Sequence, residues 1–161
     1  MSDYTLLSLN KTIPRNFLGR ELVFREYPNY SHSIVINCVS TEVMRHKTFY
    51  GKKGRGYDLH GEVYVFDMAN TGSLYHAEYP SGKPSILLRD EEIISDVALA
   101  HKWIHDNVAE LIDLGYEVAL MNGNIHPNDP EEIVDRRTLK VEELLKLETV
   151  LEYNVLYTIV K

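Results

Sequence analysis

A single cysteine in 161 residues excludes an intramolecular disulfide, so nothing here suggests the small, bridge-stapled domains of oxidising compartments. That residue, Cys38, lies in the apolar run Ile34-Val35-Ile36-Asn37-Cys38-Val39, which predicts a buried and inert thiol. Long apolar stretches are missing too. No run approaches membrane-spanning length, and the opening MSDYTLLSLNK lacks the basic-then-apolar order of a secretory signal. The expectation is a soluble, cytoplasmic protein with no membrane partner. There is no phosphate-cradling Walker loop, no dinucleotide-binding glycine pattern and no Gly-x-Ser-x-Gly elbow. No cofactor is expected. Tryptophan is scarce, one residue against eleven tyrosines, which tilts the chain toward β-structure.

What the chain does have is charge, unevenly divided. Residues 1–60 hold nine Lys/Arg and five Asp/Glu, about +4, whereas residues 61–161 hold the other eight bases and nineteen acids, about −11. Five of the nine N-terminal bases fall in RHKTFYGKKGR: Arg45, Lys47, Lys52, Lys53 and Arg55. Tyr50 and Tyr57 lie among or beside them, and Gly51 and Gly54 break up the segment, with Gly56 just after it. Each Lys or Arg that meets a phosphate releases counterions, giving affinity that does not depend on sequence. Glycines let a backbone approach a duplex, and tyrosines can hydrogen-bond phosphate or stack on an unpaired base. The bland alternative is a solvated hairpin tip whose charges keep the protein soluble.

Organisation follows the same division. An apolar fraction of 44% over this length supports one domain, or one module with an integrated subdomain. Residues 21–27, 33–40, 43–50, 62–68, 74–79 and 85–88 read as short strands at hairpin spacing, pointing to a small barrel. Residues 51–56 and 70–72 read as turns. Residues 90–114 then predict one long helix, because Ile93, Ile94, Val97, His101, Ile104, Val108, Leu111 and Ile112 recur at three- and four-residue intervals. Asp90, Glu91 and Glu92 suit the dipole of its first turn, and Gly115 supplies a left-handed stop. A strand over 116–121, a polar loop over 123–130, a second helix over 139–147 capped by Thr138, and a terminal strand from Leu151 to Ile159 complete the expectation. The predicted fold is α+β: a basic β-barrel over 1–88 packed against an acidic α/β part over 89–161.

Other constellations carry less. His101 and His105 share a helix side, but HKWIH lacks the glutamate of the HExxH zinc motif, and a third ligand would have to come from afar, such as His126. No metal is expected. His46-Lys47-Thr48 matches one half of the paired His-x-Thr/Ser element of two-histidine phosphoesterases, and no other histidine has Ser or Thr two places on. Asp106, Glu110 and Asp113 form an acidic helix stripe, read as a solvated side that nucleic acid avoids. Asp129, Glu131 and Glu132 read as capping and dipole chemistry. Trp103, off the main apolar stripe, could pack the helix onto the barrel or stay exposed for a partner, and packing is the expectation.

Residues 19–79 resemble a KOW/Tudor-type small barrel. Such modules open on a glycine and an apolar strand, here Gly19-Arg-Glu-Leu22-Val23. They carry a basic, glycine-rich signature, here Lys52-Lys53-Gly54-Arg55-Gly56, before Gly61-Glu62-Val63. About thirty residues separate the two parts, which implies an enlarged barrel. In size and layout the chain also resembles the MotB-like early transcription modulators of T-even phages. That resemblance implies a non-enzymatic, SH3-like DNA-binding barrel acting on double-stranded DNA, with host nucleoid or transcription proteins as further partners and the host cytoplasm or nucleoid as its place. On this reading Arg45, Lys47, Lys52, Lys53 and Arg55 contact phosphates and Tyr50 and Tyr57 support them, with Lys11 and Arg20 flanking the groove. The rival expectations are a protein-interaction module acting on RNA polymerase or a host factor, and a nucleotide-binding or phosphoesterase protein centred on His46.

Overall fold

A computed structural model describes residues 2–26, 31–38, 62–68, 90–125 and 133–161. The strands are β1 (Ser2–Leu9), β2 (Glu21–Glu26), β3 (Ser31–Cys38), β4 (Glu62–Met68), β5 (Val118–Ile125), β6 (Asp135–Lys140) and β7 (Val155–Val160). Among the described residues the α-helix is α1 (Asp90–Asp113), and Val141–Leu145 is a short 3-10 helix. All seven strands join one sheet in the order β2-β3-β4-β1-β5-β7-β6. The fold is therefore mixed α+β. The sheet is open, ending at β2 and β6 among the described residues, and does not close into the expected barrel.

The centre of the sheet is a strand that residue pattern alone does not announce. β1 pairs antiparallel with β4 on one side and, over eight residues, with β5 on the other. Segments 1–88 and 89–161 thus share one backbone ladder. On the α1 side, Leu7, Leu9, Ile34, Ile36, Tyr64 and Phe66 meet Val118, Leu120, Val155, Tyr157 and Ile159 in a single apolar cluster. The opposite side carries Leu6, Val65, Met121 and Leu156, which are buried as well. Burial on both sides explains why β1 shows little alternation.

The long helix follows its pattern closely. His101, Ile104, Val108 and Leu111 are fully buried and Ile112 partly so, while the side chains of Ile93, Ile94 and Val97 lie outside the described set. Gly115 has φ +88°, the left-handed stop that a residue with a Cβ adopts only at a cost. Trp103 packs against the core and meets Phe66 edge-on, with ring centroids 6.0 Å apart.

Three expectations need correction. The helix predicted over 139–147 is absent: Thr138 lies inside β6, and only Val141–Leu145 turns, as a 3-10 helix. Parallel pairing of Asp135–Lys140 with Val155–Val160 outweighs the local capping pattern, and parallel neighbours require the crossover that this turn and residues 146–154 provide. The loop expected from residue 123 begins later, because β5 runs on through Ile125. Cys38 is exposed, since it sits at the last position of β3 rather than within the core stretch. The strands expected at 43–50, 74–79 and 85–88, the turns at 51–56 and 70–72, and Asp129, Glu131 and Glu132 lie outside the described residues.

Candidate nucleic-acid interface

Connectivity places the basic segment before any side chain is considered. β3 and β4 are antiparallel neighbours, with Cys38 opposite Tyr64 at the end where β3 leaves the sheet and β4 enters it. Residues 39–61 join those two points, so Arg45, Lys47, Tyr50, Lys52, Lys53, Arg55 and Tyr57 belong to a connection tethered at both ends to one end of the sheet. These seven residues lie outside the described set, as do His46, Thr48 and His126.

The two flanking cations are described, and each stands near one tether. Leu9 pairs with Glu62, the first residue of β4. Just beyond it Asn10 and Glu117 exchange hydrogen bonds: the Asn10 N–H donates to the Glu117 carbonyl at 3.3 Å, and the Glu117 N–H donates to Asn10 Oδ1 at 3.0 Å. Lys11 follows, exposed, with Nζ 4.4 Å from the centre of the Tyr116 ring. The Tyr116 hydroxyl donates to the Thr12 carbonyl at 2.8 Å and holds that platform in place. Lys11 keeps its charge at the surface while its position is set by an aromatic face.

Arg20 stands near the other tether, where its carbonyl accepts the Ile36 N–H at 3.0 Å. Its side chain turns toward α1. Nε donates to the Asn16 carbonyl at 2.9 Å, Nη1 to Asn107 Oδ1 at 2.9 Å and Glu110 Oε2 at 2.8 Å, and Nη2 to Glu110 Oε1 at 3.3 Å. The guanidinium also lies 3.8 Å from the centre of the Phe17 ring. A planar fork engaged in this way acts as a clamp between the β2 entrance and the helix. It lowers the Glu110 carboxyl below the ordinary carboxylate range, chiefly through its hydrogen bonds.

The acidic stripe of α1 is exposed, as expected, but it is not bare. Asp106 receives Lys102 Nζ at 2.7 Å and approaches His105 Nδ1 at 2.9 Å, Glu110 holds Arg20, and Asp113 meets Lys161 Nζ at 2.7 Å. The Lys102 hydrogen bond is the main cause that depresses the Asp106 carboxyl. His101 points the other way, into the contact between α1 and the 3-10 helix, with Nδ1 3.2 Å from the Lys146 carbonyl. Burial pushes its pKa down to about 4, against the smaller upward pull of that backbone contact. His101 and His105 therefore belong to different surroundings. Among the described residues, no group of three or more His, Cys, Asp or Glu could hold a metal ion.

Two polar features escape sequence reading. Asn122 is fully buried in β5; the Thr5 hydroxyl donates to its Oδ1 at 2.8 Å, and its Nδ2 donates to the Leu151 carbonyl at 3.1 Å. Its own carbonyl accepts the N–H of Asn154, a residue at φ 61° that turns the chain into β7. The second is the row of exposed charges on β6, the strand that ends the sheet order among the described residues.

No model of a known protein family, no curated protein and no solved structure matches this chain. No helix among the described residues is long and apolar enough to cross a membrane.

Proposed function

We propose that the chain is a non-enzymatic, largely sequence-independent DNA-binding protein that modulates transcription, akin to the MotB-like phage modulators. The observation that carries this reading is the tethering of the basic segment. Five of the nine bases in residues 1–60 lie on the β3–β4 connection, and the described flanking cations Lys11 and Arg20 stand near its two attachment points. Arg45, Lys47, Lys52, Lys53 and Arg55 supply phosphate contacts, with Tyr50 and Tyr57 against the sugar–phosphate chain. Lys11 extends that footing. Arg20, committed to Glu110 and Asn107, holds the platform rather than reaching a phosphate.

The test is binding of mixed-sequence duplex by the full chain at several salt concentrations. Replacing Lys52, Lys53 and Arg55 together with alanine should weaken all duplexes about equally and flatten the salt slope by up to about 0.9 per lost phosphate contact. A folded triple variant with unchanged affinity ends the reading.

A further inference from the structure

The chain carries an excess of seven acids, and five of its described cations are paired with one. Arg20, Lys102, Arg137, Lys146 and Lys161 each reach a carboxylate. Lys11 and Arg15 do not: both are exposed, and among the described residues no carboxylate pairs with either. The reason is local. Residues 10–20, which join β1 to β2, hold three bases and no acid, and of the three only Arg20 reaches across to α1. Glu21 and Glu117 border this connection without pairing with Lys11 or Arg15.

The connection is also held along its length. Asn10 is tied to Glu117 through two hydrogen bonds, and the Thr12 carbonyl accepts the Tyr116 hydroxyl. Ile13 and Phe17 are buried in the core cluster, and the Ile13 N–H donates to the Tyr64 hydroxyl at 3.0 Å. The Phe17 N–H donates to the Pro14 carbonyl at 3.0 Å, which closes a tight turn with Arg15 and Asn16 exposed at its two central positions. The Gly19 N–H donates to the Ile36 carbonyl at 2.8 Å. Lys11 rests over the Tyr116 ring, which orients the ammonium without neutralising it. The backbone that carries both unpaired cations is thus set before any ligand arrives, which lowers the ordering cost of binding.

Its place in the fold matters equally. The connection starts beyond Leu9, the partner of Glu62 where β4 begins, and ends beside Ile36, two residues before β3 ends. It therefore spans the two attachment points of the basic β3–β4 connection. We infer that Arg15, which lies outside the basic cluster, forms with Lys11 a second phosphate-contacting surface, so that duplex DNA on the β3–β4 connection also rests its backbone on the β1–β2 connection. Four residues separate the two cations by at most about 14 Å, and a duplex strand presents about four phosphates over that length of axis. One strand can serve both. The inference rests on the duplex-binding reading and adds a site to it.

The experiment uses the full chain and a short mixed-sequence duplex, with fluorescence anisotropy read at several salt concentrations. The double variant K11Q/R15Q should keep its urea midpoint and lose up to about 1.8 from the salt slope, about 0.9 for each phosphate contact. The control K102Q/K146Q changes net charge equally but removes cations that already hold carboxylates, and it should keep the slope. In the unaltered chain, the backbone amide resonances of Lys11, Arg15 and Asn16 should shift on titration with the duplex. A chain that binds no duplex at all would end the DNA reading and this inference with it. If the chain binds duplex, three results overturn the inference alone: an unchanged slope in K11Q/R15Q, an equal loss in K102Q/K146Q, or amides at 11, 15 and 16 that do not respond.

Discussion

The inward and outward sides of α1 come from the same 24 residues, yet they contribute to the fold in different ways. The inward side presents Ala100, Ile104, Val108 and Leu111, all buried to 0% exposure, together with His101. Such burial stabilises by about 1.5–3 kcal/mol for each large aliphatic side chain, and it has no preferred direction. The outward side presents Lys102, Asp106, Glu110 and Asp113, exposed and each in an ion pair. Pairs of that kind contribute little and are screened by salt. They are directional, however. Glu110 selects Arg20 from before β2, and Asp113 selects Lys161 from after β7. The apolar side supplies the energy, and the charged side selects which neighbouring segments lie beside the helix.

The largest expected break is on the inward side. Ile104→Asp or Val108→Asp buries a carboxylate in the cluster and should cost about 3–5 kcal/mol or more, read as a shift of the urea midpoint. Native stability in either variant would mean that the helix has been assigned the wrong face.

His101 is the inward residue that can be tested with pH. The unfolded chain takes up a proton near 6.5, whereas the folded protein does so only near 4, so the unfolded state holds more protons between those values. Stability is full above about 6.5 and falls as pH drops toward 4, by at most about 3 kcal/mol. Asp106 and Glu110 have lowered folded values, so their contribution is present above their ordinary range, near 4, and is lost below it. The decline between pH 6.5 and 5 should therefore disappear in His101→Gln while the steeper loss at lower pH remains. A variant with an unchanged slope in the upper window would remove His101 from the account.

This division also explains what could be read from residues alone. Helix α1 was legible because its apolar period, acidic first turn and Gly115 are local signals that agree. Strand β1 was not, because SDYTLLSL has neither alternation nor a β-branched run, and its place depends on partners near residues 64 and 121. Gly123-Asn124 reads as the start of a loop, yet β5 runs on through it, and the buried Asn122 amide just before it is satisfied by Thr5 and the Leu151 carbonyl. Thr138 looks like a helix cap because the pattern after it is helical, yet the ladder to β7 prevails. The basic cluster was legible as charge. Its tethering between β3 and β4, and the commitment of Arg20 to Glu110, are tertiary facts.

Arg20 marks the boundary between the two sides, since it stacks on buried Phe17 while binding exposed Glu110. Arg20→Ala should cost about 1–2 kcal/mol, less than an inward charge and more than a surface pair, because packing and the buried Asn107 are both involved. Arg20→Lys should recover only part of this, since an ammonium cannot reproduce the fork geometry. Full recovery by lysine would show that charge alone matters there.

The smallest effect on stability should come from the outward acids that do not engage Arg20. Asp106→Asn and Asp113→Asn each remove one member of a pair with more than half of both side chains exposed, and each should shift stability by no more than about 0.5 kcal/mol. Their consequence is expected in binding instead. Each substitution removes one negative charge and leaves a cation, Lys102 or Lys161, without its closest acid. If the β3–β4 connection binds duplex, the double variant should bind it modestly more tightly at low salt, because repulsion between the acidic body and the phosphates is relieved. The gain should vanish as the screening length shortens to about 8 Å at physiological ionic strength. Glu110 must be left intact in this experiment, because removing it would release the Arg20 clamp and mix a structural effect with an electrostatic one. A gain that persists at high salt would place duplex directly against this side of α1, and the helix's charged side would then be a contact surface in its own right.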